Sequence, residues 1–95
     1  MGFQVIKETK KSTIYRHTDF PKYRIKISEG GFAHNRKDPD QSIEEILILT
    51  ITNDETEKSS EQRCFQDEDE ILNQIENDLK LKGNRQFERV WCTIG

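Results

Sequence analysis

His17, His34, Cys64 and Cys92 are the side chains best suited to hold a transition metal or to serve as nucleophile and base. A zinc site draws on close pairs, such as Cys-x-x-Cys or histidines one helical turn apart. These four are scattered along the chain, so the plain reading is lone histidines and core thiols. Cysteine nucleophiles need a base and an activating environment. Cys92 stands among apolar residues, which favours an inert thiol. Cys64 follows Arg63, which is more interesting, yet it too reads as structural. No catalytic residue, metal ligand or cofactor site is assigned.

Carboxylates are abundant, but abundance is not placement. Glu68, Asp69 and Glu70 fall within one helical turn, where acids stabilise a helix N-terminus without further function. Gly30-Gly31 and Gly83 form no phosphate-cradling pattern and read as turn and cap glycines.

Two constellations have a sharper reading. Arg24 and Lys26 on one strand, with Arg89 and Trp91 on another and Tyr15 on a third, would make a basic aromatic face. Cations hold phosphates while rings stack bases, so such a face suits single-stranded nucleic acid. The bland alternative puts Trp91 beneath the helix and leaves the cations as solvated strand residues. The second constellation is acidic: Glu68, Asp69, Glu70, Glu76 and Asp78 on the helix, preceded by Asp54, Glu55, Glu57 and Glu61. Glu68, Asp69 and Glu76 are the candidate partner-binding residues, expected to be exposed. An acidic surface on a small rigid domain can occupy the groove of a basic protein. Its bland alternative is a solvated helix face.

The elements that would position these residues follow from hydrophobic period. Phe3–Ile6 reads as an opening strand, and residues 13–16 as its return, centred on Ile14 and Tyr15. Asp19-Phe20-Pro21 interrupts. Tyr23, Ile25 and Ile27 then alternate with Arg24 and Lys26, as a half-solvated strand requires, and Gly30-Gly31 is expected to end it. Residues 33–42 and 53–61 read as polar loops. Between them Glu45–Thr52, with Leu47, Leu49 and Ile51 on one face and Ile46 and Ile48 on the other, is apolar on both faces and so belongs inside the sheet. A short strand is expected around Arg63-Cys64-Phe65.

Asp67, with Glu70 three residues later, suggests a capping box. Ile71, Leu72, Ile75 and Leu79 make a helical stripe over about 68–82, with Gly83 as the stop. A last strand, Phe87–Ile94, would put Val90, Cys92 and Ile94 on one face and Arg89, Trp91 and Thr93 on the other. The expected fold is therefore α+β: a mainly antiparallel sheet of four to six strands, order β-β-β-β-(β)-α-β, with one long helix on one face.

Ninety-five residues, 32% hydrophobic and 35% charged, suit a single small domain over 1–95. Such a chain has material for one modest core and little to spare for a large ligand cavity. Residues 1–37 carry nine Lys/Arg against three Asp/Glu, while residues 38–95 carry six against fifteen. That asymmetry marks either a partner surface or two halves of one domain attracting each other. The opening Met1-Gly2-Phe3-Gln4-Val5-Ile6-Lys7 has neither a signal-peptide profile nor the myristoylation pattern. No apolar run is long enough for a membrane span, and cytoplasmic action, in its own or a host cell, is expected.

By elimination and size, the expectation is a non-enzymatic protein-binding domain, of inhibitor or immunity type, acting through charged surfaces on another protein. The alternative is single-stranded nucleic-acid binding through Tyr15, Arg24, Lys26, Arg89 and Trp91. A structural or assembly role is third.

Overall fold

A computed structural model describes residues 2–34 and 43–91. Five strands come first: β1 (Phe3–Glu8), β2 (Ser12–His17), β3 (Phe20–His34), β4 (Ile43–Asn53) and β5 (Lys58–Cys64). Two helices follow, α1 (Glu68–Leu81) and α2 (Asn84–Trp91). Each strand pairs antiparallel with the next, giving the sheet order β1-β2-β3-β4-β5. The class is α+β, with five strands in the expected range.

Directly opposed residues on paired strands project to the same face, so the register sorts the side chains. One rung runs Tyr15–Ile25–Ile51–Ser60 and the next Thr13–Ile27–Leu49–Gln62. Tyr23, Ile25, Ile27, Leu49 and Ile51 on this face are buried against Ile71, Leu72, Ile75 and Leu79 of α1 and Phe87 of α2. The helical stripe thus meets the sheet as its spacing requires. Each fully buried aliphatic side chain contributes about 1.5–3 kcal/mol of transfer free energy. Ile46 and Ile48 alternate onto the opposite face, and β4 has neighbours on both sides, as expected of the most apolar strand.

Several local expectations are corrected. Gly30-Gly31 does not end a strand: β3 continues to His34 through a bulge between Glu29 and Phe32. Gly31 takes φ +87, and a Cβ on Gly30 would meet Ile48 at 2.9 Å, so the pair lets the strand kink under the Ile48 side chain rather than stop. Residues 35–42, most of the first expected loop, lie outside the described residues. The second loop shrinks to a turn. The Asn53 carbonyl accepts the Glu57 N–H at 2.7 Å, and its side-chain Oδ1 accepts from Glu55 and Thr56. β5 therefore begins at Lys58.

Asp67 occupies the N-cap of α1 with extended backbone, but its side chain makes no capping hydrogen bond, so the expected capping box does not form. The larger correction is at the C-terminus, where residues 84–91 form a second helix instead of a strand. Phe87 and Trp91 stand one turn apart on the same helix face. Phe87 is fully buried with its ring 5.0 Å from that of Tyr23, while Val90 is 51% exposed. Core packing of the two aromatics overrides a period-2 pattern that reads equally well as a strand. Gly83 stands at C′, directly after the α1 C-cap Lys82, as expected, but its φ is not left-handed, and its carbonyl accepts the Phe87 N–H to open α2. Cys92 to Gly95 lie outside the described residues.

Candidate functional site

Two of the three candidate partner-binding acids are drawn inward. Glu68, at the start of α1, is half-buried and accepts a hydrogen bond from the Tyr15 hydroxyl. Burial, and then the Glu68 carboxylate, push the Tyr15 phenol up to about 12. Glu76 is only 14% exposed and accepts from Gly2 N–H at 2.7 Å and from His17 Nε2 at 2.8 Å. The Gly2 amide, followed by His17, holds the Glu76 carboxyl below its usual range. Of the three candidate partner-binding acids only Asp69 is exposed. The expectation that Glu68 and Glu76 face solvent is corrected: both tie α1 to β2.

His17 is buried between the Phe3 and Phe20 rings. Its Nδ1 accepts the Asp19 N–H at 3.0 Å, which makes Nε2 the protonated nitrogen and the donor to Glu76. Both ring nitrogens are engaged, so the pair serves as a structural clamp. Cys64 is buried, and burial pushes its thiol up, away from the reactive thiolate. Among the described residues no group of three or more His, Cys, Asp or Glu is placed to hold a metal ion. No helix among them is long and apolar enough to cross a membrane.

The basic aromatic face does not assemble. Tyr15 shares a rung with core residue Ile25, so it points toward the helices, where it packs on the core. Trp91 also packs on the core, its indole N–H donating to Asp78 at 2.6 Å. Its carbonyl accepts from Ser60 at 3.0 Å, while Asn53 donates to Glu88 at 2.8 Å, and these bonds pin α2 to the sheet. Arg24 and Lys26 project from the other side of the sheet, and Arg89 is exposed on α2. The five residues therefore occupy opposite sides of one layer.

A different constellation emerges on the face turned away from the helices. Its rungs run Lys7–Ile14–Lys26–Thr50–Glu61, Gln4–Arg16–Arg24–Thr52–Ser59 and Ser12–Ser28–Ile48–Arg63. Lys7, Arg24, Lys26 and Arg63 are exposed, while Arg16, Ile14 and Ile48 are half-buried. The rungs thus hold five cations and one acid, Glu61, with Lys26 at the middle and Ile14 and Ile48 set diagonally to each other on the strands either side of it. Asp54, in the β4–β5 turn, reaches back to Arg16 at 2.6 Å and to Arg24 at 3.4 Å. Sequence reasoning identified Arg24 and Lys26 but missed Lys7, Arg16 and Arg63. The alternation of Ile14 and Arg16 with core-facing neighbours was a usable signal, but Arg63 needed the β4–β5 register. A shallow depression is lined by Asp19, Phe20, Pro21, Lys22 and Glu55.

Comparison with protein-family models, with curated proteins and with solved structures finds no match to this chain.

Proposed function

We propose that this protein is a small non-enzymatic binding domain that contacts another protein through the sheet face turned away from its helices. The observation that carries the reading is that Lys7, Arg16, Arg24, Lys26 and Arg63 share one sheet face with the half-buried Ile14 and Ile48. Protein interfaces combine an apolar centre with a polar rim and are enriched in Arg. An inhibitor or immunity-type role is one form such binding takes. The acidic helix is the weaker docking surface, because Glu68 and Glu76 are already committed to Tyr15 and His17.

Nucleic-acid binding is the second reading, favoured by five cations on one face and opposed by the absence of an aromatic side chain from the rungs of that face among the described residues. Affinity capture from the native source tests the choice, using the wild type, a Lys26→Glu/Arg63→Glu double variant and Asp69→Lys. The expected result is a stoichiometric protein partner, lost with the double variant and kept with Asp69→Lys. The opposite pattern overturns the assignment of the face, and capture of nucleic acid alone overturns the assignment of partner.

A further inference from the structure

Resting on that reading, we infer that the partner presents carboxylates, and that Arg16, Arg24, Lys26 and Arg63 receive one amphipathic acidic segment of it, whose apolar stripe lies on Ile14 and Ile48. Arg16 and Arg24 stand directly opposite each other on neighbouring strands, an arrangement that like charges destabilise unless an anion compensates. Asp54 is that anion in the free protein, its two carboxylate oxygens reaching one arginine each. The chain itself therefore displays a carboxylate bound by this arginine pair.

One carboxylate does not saturate two guanidinium groups, each with five donors in a planar fork. The buried Nε of Arg16 has no partner among the described residues. Lys7, Lys26 and Arg63 add three more cations, against Glu61 alone among the rung residues, so the face retains a positive excess. Four inter-strand spacings of about 4.8 Å make it about 19 Å wide. That width accommodates one helix of about 10 Å diameter, with acids on the flank of its apolar stripe that faces Arg16, Arg24 and Lys26. A nucleic-acid backbone would use the cations but leave Ile14 and Ile48 without a counterpart.

The test titrates the isotope-labelled full chain at low salt with poly-L-glutamate, and in parallel with a duplex DNA oligonucleotide, following backbone amide shifts. Poly-L-glutamate is expected to shift residues around Arg16, Arg24, Lys26 and Arg63. The Lys26→Glu/Arg63→Glu variant should bind it about tenfold more weakly or worse, with unchanged circular dichroism. No shift, or shifts confined to other surfaces, overturns the inference. Tighter binding of DNA by the same residues overturns it in favour of phosphate. Concentration-dependent sedimentation of the free protein that the double variant abolishes overturns it in favour of a second copy. If capture still assigns a protein to this face while poly-L-glutamate fails, the acidic chemistry falls and the protein-binding reading stands; if both fail, both fall.

Discussion

His17 and Glu76 meet in a 2.8 Å hydrogen bond that joins β2 to α1 across the edge of the core. Because the histidine is buried, the bond makes Glu76 a fixture of the fold rather than a surface charge. Replacing it by Lys should destabilise the protein by about 1–3 kcal/mol, the cost of leaving buried His17 without its acceptor. Asp69→Lys, at an exposed position two turns earlier on α1, should stay within about 1 kcal/mol of the wild type. Urea unfolding of the two variants checks this, and equal midpoints would refute the clamp.

The same carboxylate sets an acid limit. Its folded-state pKa lies below the ordinary 4.5, so the folded state favours the ionised form. The resulting stability is present above about pH 4.5 and is lost as pH falls through the lowered folded value. Glu76→Gln should flatten this limb of the stability profile, measured by thermal unfolding between neutral and acidic pH. An unchanged slope would assign the acid sensitivity to other carboxylates.

At the alkaline end Tyr15 acts with the opposite sign. Its phenol is raised to about 12 by burial and by Glu68, so the folded state holds the proton that the unfolded chain releases near 10. Stability from the Tyr15–Glu68 contact is complete below pH 10 and is lost as pH rises through about 12. Phenolate absorbance should show a late-titrating tyrosine, and Tyr15→Phe should remove it.

α2 depends on Phe87, which is fully buried between the Tyr23 and Trp91 rings. Phe87→Ala should cost about 3–5 kcal/mol, whereas Val90→Ala, at a position 51% exposed, should cost well under 1 kcal/mol. A strand over these residues would instead pair Val90 with the core and bring the two costs together. Thermal melts of both variants distinguish the two arrangements.

Much of the sheet was legible because its signals are local. Tyr23, Ile25 and Ile27 alternate with cations, and Ile71, Ile75 and Leu79 recur at the helical period, so each element declares its buried face without knowledge of its neighbours. The end of the chain was not legible, because Phe87 to Trp91 satisfies both periods, and only the Tyr23 ring waiting across the core selects the helix. The candidate site was half legible for a similar reason. Arg24 and Lys26 announce a solvated face, but Tyr15 joins that face or the opposite one according to register. Its pairing with Ile25 sends it to Glu68 and away from the arginines. Glu76 was misplaced because a carboxylate on a helix flank carries no mark of the buried histidine it meets 59 residues earlier in the chain.

Asp54 offers the sharpest handle on binding, because it competes with any incoming acid for Arg16 and Arg24. Asp54→Asn removes the charge while nearly preserving shape. It leaves intact the backbone bond from the residue 54 amide to the Lys22 carbonyl. The ion pairs are largely solvated, so their loss should cost no more than about 1 kcal/mol of stability. Association with an acidic partner should accelerate, since charges at the rim act mainly on the encounter rate, and the gain should shrink as salt screens the face. Stopped-flow binding of poly-L-glutamate at two ionic strengths measures both effects. A folded Asp54→Asn variant that associates no faster than the wild type at low salt would mean that the arginine pair serves only to fasten the β4–β5 turn to β2 and β3.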